Sequence, residues 1–355
     1  MQAIILEKAK GPLLTAELDK PQPMEGQVLV KLHAAALNHR DRWIRNGTYP
    51  TTRYPCVLGS DGAGTVEGVG PQVDPALIGK PVIINPSLYW GEERSGQRDQ
   101  FQILGVPTQG TFAEYICVPE ANVYPIPEGY NYGQAAALPL GGLTAYRALF
   151  YRGGLKPFEN LLITGIGGGV AGFLLTFGVK ARASVYVTSS SDAKIQRAVE
   201  LGAEKGVNYS SDKGVNHALK DWENHLLDLQ PKGFDLVVDS AGGPNFTALL
   251  RLLRPGGRIV TFGATAGPIP ELSPRQVFYK QASILGTTMG SPADFESMLD
   301  FITEHNIRPL IDKVFNLEEA DAAFRHLEEQ QRFGKVVLSI GGKAEQRPES
   351  ISDNE

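Results

Sequence analysis

The amino-acid sequence predicts an α/β protein with two domains, one rich in β-strands and one built on a doubly wound parallel sheet. Its 355 residues exceed the about 250–300 residues that a single hydrophobic core usually serves. The first third of the chain contains short apolar segments broken by glycine and proline, and the middle alternates short apolar runs with longer helical periods. We therefore expect the β-rich part to come first along the chain.

Strand-like segments dominate the chain as far as about Pro125. They are Ala3–Leu6, Gln27–Ala36, Gly62–Val69, Pro81–Asn85 and Phe112–Val118. Their short length and spacing indicate a small barrel or sandwich. The polar stretch Pro86–Gln109 is too long for an ordinary turn and predicts an excursion from this domain.

After Tyr130 short apolar runs alternate with helical periods. The predicted strands are Leu161–Thr164, Val185–Thr188, Asp235–Asp239, Arg258–Phe262 and Ser283–Thr287, and the predicted helices are Gly169–Val179, Asp192–Gly202, Lys213–Leu229 and Asn245–Leu253. This alternation is typical of a parallel sheet with helices on both faces. Two further helices, Pro292–His305 and Leu317–Gln331, and a strand, Lys335–Ile340, are predicted near the C-terminus.

Composition and charge exclude several classes of protein. The formal net charge is −5, from 34 basic and 39 acidic residues, and no basic block is present, so a nucleic-acid partner is not expected. No apolar run reaches the about 18 residues of a membrane span, and the first residues resemble a strand and not a signal peptide. We therefore expect a cytoplasmic protein without a membrane partner. The polar end 341–355 predicts a flexible tail.

A glycine-rich loop between a predicted strand and a predicted helix is the central motif. The strand Leu161–Thr164 runs into Gly165, Gly167, Gly168 and Gly169, and the helix begins with small residues. A dinucleotide needs such a loop, because side chains would keep its pyrophosphate from the backbone N–H groups and the positive end of the helix dipole. The spacing G-x-G-x-x-G fits Gly167, Gly169 and Gly172.

The end of the second predicted strand indicates which dinucleotide binds. An acidic residue there would accept hydrogen bonds from a ribose 2′-hydroxyl and repel a 2′-phosphate. This chain has Ser189, Ser190 and Ser191 instead, and Lys194 follows one helical turn later. Hydroxyl donors and an ammonium suit a phosphate, which favours NADPH over NADH. The alternative is a helix-capping box of Ser189 with Asp192, with Lys194 as a solvated helix residue.

Together with this loop, motifs on both sides of it make the sequence resemble the medium-chain dehydrogenase/reductase superfamily over almost its whole length. The stretches that carry the resemblance are Ala36–Asp41, Arg45–Pro50, Leu58–Val66, Gly110–Tyr115, Ala135–Tyr146, Leu201–Ala203, Pro255–Arg258 and Gly334–Leu338. The resemblance implies a GroES-like catalytic domain over 1–125, completed by 305–340, and a Rossmann nucleotide-binding domain over 126–304. It also implies an active-site cleft where the two meet, and for the glycine loop it favours the positions Gly165, Gly168 and Ala171.

Zinc-dependent members of this superfamily hold a catalytic metal with cysteine and histidine ligands. The resemblance places those ligands at Asn38, Ser60 and Leu140, none of which is a convincing zinc ligand. Members with a structural zinc carry four cysteines in the excursion lobe, and Pro86–Gln109 contains none. We therefore expect a protein without zinc, similar to quinone oxidoreductases and to zinc-type alcohol dehydrogenase-like members that lack the zinc ligands.

Without a Lewis acid, a hydride is best delivered to an acceptor that is already electron-poor. We therefore expect NADPH-dependent reduction of a quinone or of an α,β-unsaturated carbonyl such as an enone or enal, with Asn38 at the substrate oxygen and Tyr49 lining the acceptor pocket. The alternatives are a turn residue for Asn38 and a packed loop aromatic for Tyr49. Asp41 is expected to order its loop, since an unshifted carboxyl is a poor acid near pH 7.

The cofactor-binding residues expected from the loop and from the resemblance form a larger set. They are Gly165, Gly168, Gly169 and Val170 at the phosphates, Ser189, Ser190, Lys194 and Tyr209 around the adenosine phosphate, and Phe262, Gly263 and Lys335. The resemblance also implies a homodimer formed by pairing of edge strands near Ala282–Thr288, which would cover an exposed sheet edge. Two other functions stay open: an enoyl-thioester reductase, and a nucleotide-binding interaction protein with weak catalysis.

Overall fold

The structure is a computed structural model that describes residues 1–50, 52–210 and 218–348, without the side chains of 218–221. The chain forms two compact units, one of Met1–Leu143 with Gly290–Glu355 and one of Thr144–Met289. In the described part of the chain, no helix has both the length and the apolar character that crossing a bilayer requires.

The strands of both units are numbered in chain order. They are β1 (Gln2–Leu6), β2 (Leu13–Glu17), β3 (Gln27–Ala36), β4 (Cys56–Val57), β5 (Asp61–Val69), β6 (Pro81–Ile84), β7 (Ser87–Leu88), β8 (Gln102–Ile103), β9 (Tyr115–Pro119), β10 (Val123–Pro125), β11 (Asn160–Ile163), β12 (Ser184–Ser189), β13 (Lys205–Asn208), β14 (Phe234–Asp239), β15 (Leu253–Thr261), β16 (Ser283–Gly286), β17 (Ile311–Asn316) and β18 (Lys335–Ser339).

The α-helices follow the same order. They are α1 (His39–Arg45), α2 (Tyr132–Ala136), α3 (Pro139–Tyr146), α4 (Gly169–Lys180), α5 (Asp192–Glu200), α6 (Ala218–Leu229), α7 (Phe246–Leu252), α8 (Pro274–Lys280), α9 (Pro292–Glu304) and α10 (Ala320–Glu328). A π-helix over Arg147–Arg152 continues α3. The first five residues of the predicted helix Lys213–Leu229 lie outside the described residues.

The first unit is built on a seven-stranded sheet in which β3 is the central strand. The order is β10-β6-β5-β3-β18-β17, and β9 also pairs with β3. The C-terminal strand β18 runs antiparallel to β3, with Val337 opposite Ala36. The core beneath is apolar and includes Leu6, Val30 and Phe112, each fully buried. The last strand of the chain is therefore an integral part of the first unit.

The second unit contains a six-stranded sheet whose order is β13-β12-β11-β14-β15-β16, with every neighbouring pair parallel. Counted within the unit, this is the order 3-2-1-4-5-6 of a Rossmann sheet. Leu162, Phe234 and Ile259 are fully buried in its core. The doubly wound parallel sheet predicted from the sequence is confirmed. In this topology ligands bind beyond the carboxyl ends of the strands, where the winding direction reverses between β11 and β14.

The units divide at other positions than the expected boundaries 1–125, 126–304 and 305–340. Residues 126–143 and 290–304, expected in the nucleotide-binding domain, lie in the first unit. Helix α2 explains part of this difference, because it packs on β3, β5 and β18. The functional boundaries stay a prediction.

The first part of the expected tail 341–355 is anchored. The amides of Tyr132 and Gly133, at the start of α2, donate to the carbonyls of Gln346 (3.1 Å) and Ala344 (2.7 Å). The first N–H groups of a helix have no acceptor within the helix, and here the C-terminal backbone supplies acceptors for two of them. Ala344 is buried. The prediction of a flexible tail is therefore wrong for 341–346, and 349–355 lie outside the described residues.

Candidate functional site

Three polar residues meet beside the central strand β3 of the first unit. Asn38 lies two residues after the end of β3 and immediately before α1, Asp61 is the first residue of β5, and Lys335 is the first residue of β18. Both β5 and β18 pair with β3, and Asp61 lies opposite Ala36 in the register. The sheet itself therefore brings together side chains that are far apart in the sequence. We call Asn38, Asp61 and Lys335 the polar cluster.

Hydrogen bonds connect all three members of the polar cluster. The Lys335 ammonium donates to Asn38 Oδ1 at 2.7 Å and to Asp61 Oδ2 at 2.7 Å. Asn38 Nδ2 donates to the same Asp61 Oδ2 at 2.9 Å. The exposed fractions are 8% for Asn38, 0% for Asp61 and 3% for Lys335. The cluster is thus a desolvated ion pair with a carboxamide bonded to both charges.

Asp61 is held by its backbone surroundings as well. Its Oδ1 accepts the backbone N–H of Leu140 at 2.8 Å, in the first turn of α3. The negative charge lies where the helix dipole and the unpaired N–H groups of α3 favour it. Its backbone carbonyl accepts the Thr111 hydroxyl at 2.8 Å. These contacts offset part of the cost of burying the carboxylate.

Asp41 orders the loops on either side of Asn38. Its Oδ2 accepts the backbone N–H of Asn38 at 2.8 Å, and its Oδ1 accepts that of Gly59 at 3.3 Å. Asp41 is fully buried, and burial raises the pKa of its carboxyl from 3.8 to about 6. The two bonds support the expected loop-ordering role, although the carboxyl does not keep the unshifted pKa expected from the sequence.

Arg40 is a second buried cation next to the polar cluster. Its guanidinium donates to Ser60 Oγ at 2.7 Å and to the carbonyls of Leu104 (2.8 Å) and Val106 (3.2 Å). It also lies over the ring of Tyr49, with 4.9 Å between the guanidinium carbon and the ring centroid. Arg40 therefore connects Ser60, the end of the excursion and the predicted pocket residue Tyr49.

The residues at the three positions expected to hold a catalytic zinc do not fit that metal. Asn38 Oδ1 accepts from an ammonium, and Ser60 Oγ accepts from a guanidinium. Leu140 offers no side-chain donor atom to a metal. Both the Asn38 and the Ser60 oxygen are therefore already engaged as acceptors from resident cations. Among the described residues, no three His, Cys, Asp or Glu side chains are grouped so that they could hold a metal.

The glycine loop of the second unit lies at the carboxyl end of β11. Gly165 and Gly167 adopt φ values of +69° and +123°, and Gly168 caps α4, which begins at Gly169. A Cβ added at Gly165 or Gly168 would meet no atom within 4 Å. The loop therefore leaves open space beside the first N–H groups of a helix, which fits a pyrophosphate. Both frames of the loop, that of Gly165, Gly168 and Ala171 and that of Gly167, Gly169 and Gly172, stay predictions.

The residues after β12 line the same edge of the sheet. Ser189 is buried, and its hydroxyl accepts the backbone N–H of Ser191 at 3.2 Å, whereas Ser190 is exposed. The Asp192 carboxylate accepts from Asn208 Nδ2 at 2.9 Å. Asn208 ends β13, so this carboxylate is bonded across to the neighbouring strand.

Lys194 reaches from α5 to the glycine loop. A Cβ built on Gly167 would lie 2.9 Å from its ammonium nitrogen, so the end of the side chain lies against the glycine loop. Tyr209 follows β13, is 39% exposed, and donates its backbone N–H to the Ser189 carbonyl at 3.0 Å. An ammonium, an exposed hydroxyl and an exposed aromatic ring thus surround the edge next to the loop.

Asp239, at the end of β14, organises the adjoining loops. One of its oxygens accepts the Thr164 hydroxyl at 2.6 Å, and the other accepts the Gly242 N–H at 2.8 Å. The N–H of Phe262 donates to its backbone carbonyl at 3.2 Å. A Cβ on Gly263 would lie 2.6 Å from the Ser240 carbonyl oxygen, so this close approach of two loops requires glycine.

The structure gathers the predicted site residues in two places. Ten lie at or just beyond the carboxyl ends of the parallel strands: Gly165, Gly168, Gly169, Val170, Ser189, Ser190, Lys194, Tyr209, Phe262 and Gly263. Lys335 lies in the first unit, where it contacts Asn38 and Asp61. Its contact with a cofactor stays a prediction, as do the catalytic roles of Asn38 and Tyr49.

Sequence reasoning missed Asp61 and Arg40. Asp61 lies in the stretch that carries the family resemblance but received no role. A signal was present, because Asp61 is a carboxylate at the start of a strand that otherwise begins with small residues, Gly62 and Ala63. Buried carboxylates are rare unless paired, so a cationic partner was to be expected. Nothing local identified that partner as Lys335.

Comparison with known proteins places this architecture in a family. The model of the alcohol dehydrogenase GroES-like domain matches residues 24–128, and that of the zinc-binding dehydrogenase matches residues 165–304. A zinc-type alcohol dehydrogenase-like protein of Leptosphaeria maculans is 39% identical, over 94% of this chain and 98% of the relative. The mouse quinone oxidoreductase is 28% identical, over 96% and 98% of the two chains.

A solved structure agrees with these relatives. A crystal structure of an NAD-dependent alcohol dehydrogenase is 38% identical and superposes with a TM-score of 0.88, covering 96% of this chain and 100% of that one. The resemblance inferred from the motifs is thereby confirmed. This chain belongs to the medium-chain dehydrogenase/reductase superfamily of oxidoreductases, with a GroES-like domain and a Rossmann domain.

Proposed function

We propose that the protein is an NADPH-dependent reductase that delivers a hydride to a quinone or an α,β-unsaturated carbonyl without zinc. The observation that carries the proposal is the polar cluster. A resident ammonium bonds to Asn38 Oδ1 at 2.7 Å, at the position where zinc-dependent members place a metal ligand. Chemistry at Asn38 is then carried by hydrogen bonds and not by a Lewis acid.

The glycine loop and its neighbours would hold the cofactor. Gly165, Gly168 and the N–H groups of Gly169 and Val170 would bind the pyrophosphate, because the loop leaves space there and α4 begins there. Phe262 and Gly263 belong to an adjoining loop on the same edge. When bound, the nicotinamide cofactor supplies the hydride.

NADPH is proposed over NADH because the end of β12 offers hydroxyls and a nearby ammonium. Ser190 is exposed, and Lys194 reaches the glycine loop. The one acidic residue there, Asp192, is bonded to Asn208. A ribose 2′-phosphate finds hydroxyl and ammonium donors here. The solved relative named NAD-dependent makes this choice the first one to test.

An electron-poor acceptor follows from the residues around Asn38. Without a metal to polarise an alcohol or aldehyde oxygen, the favoured substrates are those that spread incoming charge by conjugation. Asn38 would bond the acceptor oxygen, and Tyr49, stacked on the Arg40 guanidinium at 4.9 Å, would line the acceptor pocket. Quinones, enones and enals share this property.

Titration of the purified protein with NADPH and NADH, followed by nicotinamide fluorescence, tests the cofactor. An acceptor panel of quinones, enals, aldehydes and crotonyl-thioester tests the reaction, and metal analysis of the same sample tests for zinc. We expect tighter binding of NADPH, turnover of quinones or enals, and less than stoichiometric metal. Tight NADH binding without a response to NADPH, or a stoichiometric metal, would contradict the proposal.

A homodimer and a cytoplasmic location complete the proposal. Within the part of the chain that the structure describes, β16 ends its sheet beside β15, and its residues Ser283 and Gly286 are exposed. Pairing of this edge with a second copy would satisfy its free backbone groups. Sedimentation velocity tests the dimer, and a monomer at micromolar concentration would contradict it.

A further inference from the structure

We propose that Lys335 and Asp61 act as positioning residues that fix the Asn38 carboxamide with its N–H towards the acceptor oxygen. This inference rests on the proposed function and adds to it the direction of the hydrogen bond at Asn38. The sequence alone left open whether Asn38 donates or accepts. The polar cluster removes that ambiguity through the chemistry of its two charged members.

The orientation of the amide follows from the hydrogen-bonding capacities of its neighbours. The Lys335 ammonium has donors and no acceptor, so the atom 2.7 Å from it must be the amide oxygen. The Asp61 carboxylate accepts, so the atom 2.9 Å from its Oδ2 must be the amide nitrogen. A flipped amide would place donor against donor and acceptor against acceptor.

The three side chains close a ring that uses one amide hydrogen of Asn38. The ammonium bonds both the amide oxygen and the carboxylate oxygen at 2.7 Å, and that carboxylate oxygen accepts from the amide nitrogen. The second amide hydrogen therefore points out of the ring. Among the described residues, the hydrogen bonds of Asn38 Nδ2 include no acceptor other than Asp61.

This second N–H is a suitable donor for an oxygen that gains negative charge. The hydrogen bond from a cation to the amide oxygen draws electron density from the nitrogen, which strengthens its remaining N–H as a donor. Because Asn38 is 8% exposed, the bond forms in a low-dielectric environment. A fixed donor at a developing oxyanion lowers the barrier without a reorganisation cost during the reaction.

The competing explanation is that the ion pair only joins β5, β18 and the start of α1. Both explanations predict a loss of stability when one charge is removed. They differ in what happens to the acceptor, because only a positioning role makes the loss of kcat depend on how much charge the acceptor oxygen carries. Enones localise more charge on one oxygen than quinones do, since a quinone spreads it over an aromatising ring.

The test uses the full-length double variant Lys335→Met with Asp61→Asn, which removes both charges together and leaves no lone buried ion. At saturating NADPH, so that any contact of Lys335 with the cofactor does not enter the comparison, we expect kcat for enones to fall about 100-fold, the effect of one oxyanion donor. The loss for quinones should be at least fivefold smaller than for enones, by our estimate of about 1 kcal/mol less charge stabilisation. The matched control is Arg45→Met with Asp321→Asn, which removes an ion pair of 2.6 Å in the same unit, and it should leave kcat unchanged.

A second measurement needs no variant and does not depend on folding of the mutated protein. Cyclohex-2-enone is added to the wild-type protein with NADP⁺, and the infrared stretch of its carbonyl is recorded. A donating Asn38 should shift this band to lower frequency than in water. An unshifted band, an equal loss of kcat for enones and quinones, or an unchanged kcat in the double variant would each overturn the inference.

These outcomes separate the inference from the proposed function. A wild-type protein that reduces none of the acceptors with NADPH overturns the proposed function, and the inference with it. A wild-type protein that reduces them, and whose double variant keeps its kcat, overturns only the role of Lys335 and Asp61.

Discussion

In the loop before α4, a Cβ added at Gly165 or at Gly168 would meet no described atom within 4 Å. Around Asp61, both carboxylate oxygens are bonded and the side chain is fully buried. The glycine loop keeps its space because its residues have no side chains. In the polar cluster the side chains fill the space and hydrogen-bond to one another. One region leaves open space, and in the other the two charges are paired with each other.

This difference predicts two kinds of mutational effect. In the glycine loop the folded protein gains little from the space it keeps, so changes there should lower ligand affinity with a modest loss of stability. In the polar cluster the charges stabilise each other, so removing one partner leaves the other unpaired and buried. Four predictions test this contrast, from the largest expected change in the free energy of unfolding or of binding to the smallest.

Asp61→Ala should destabilise the protein by about 3–5 kcal/mol, the usual cost of breaking a buried ion pair from one side. It leaves the Lys335 ammonium, 3% exposed, without its carboxylate. The control Asp321→Ala breaks the ion pair with Arg45. It should cost less than about 1 kcal/mol, because both side chains are partly exposed, Asp321 by 37% and Arg45 by 24%. Urea unfolding measures both. Equal costs would show that the polar cluster is no more strongly coupled than a surface pair.

The buried carboxyl of Asp41 should make stability depend on pH. Its folded pKa, about 6, lies above the unfolded value of 3.8, so the folded state binds the proton more tightly. Its contribution to stability is therefore present at low pH and is lost as the pH rises from about 4 to about 6. The loss is on the order of 2–3 kcal/mol.

The measurement is the unfolding free energy of the wild type minus that of Asp41→Asn across pH 4–7. The difference should fall through that window and then level off, because the variant has no titrating group at this position. A difference that is flat with pH, or that rises, would contradict the raised pKa of Asp41.

Gly165→Ala should weaken NADPH binding by about 10- to 100-fold, because a methyl group in the pyrophosphate space costs about 1–3 kcal/mol. The matched control is Gly154→Ala. Both glycines have positive φ, +69° and +55°, and neither added Cβ meets an atom within 4 Å. Each variant should therefore lose about 1–2 kcal/mol of stability from backbone strain. Unchanged NADPH affinity in Gly165→Ala would refute the phosphate loop.

Lys194→Gln should weaken NADPH binding about tenfold and NADH binding less than about threefold, since one charge-assisted bond to a phosphate is worth about 1.5 kcal/mol. The control is Lys205→Gln, an exposed lysine on β13 of the same unit. Fluorescence titration with both nucleotides gives the ratio. Equal loss for NADPH and NADH would assign the ammonium to the pyrophosphate beside Gly167 and remove it as a source of cofactor preference.

Local sequence patterns predicted five strands of the six-stranded parallel sheet of the second unit, and they missed β13 and the helix α8. The strand β11, the glycine loop and α4 are contiguous, and alternating strands and helices restrict the topology to a few parallel arrangements. Some strands of the first unit were missed because they carry weak patterns. In β17, for example, Asp312, Lys313 and Val314 are exposed, so no apolar alternation marks the strand.

The sequence by itself determined the fold class, the glycine loop and the hydroxyl-rich end of β12, because each depends on residues that are neighbours in the chain. Only the tertiary structure decided that Lys335 bonds Asn38, 297 positions away, and that the backbone at Ala344 and Gln346 anchors α2. Periodicity reports which face of an element is buried. It does not report which strands become neighbours, and it is that pairing which brings a carboxylate, an amide and an ammonium within hydrogen-bond distance.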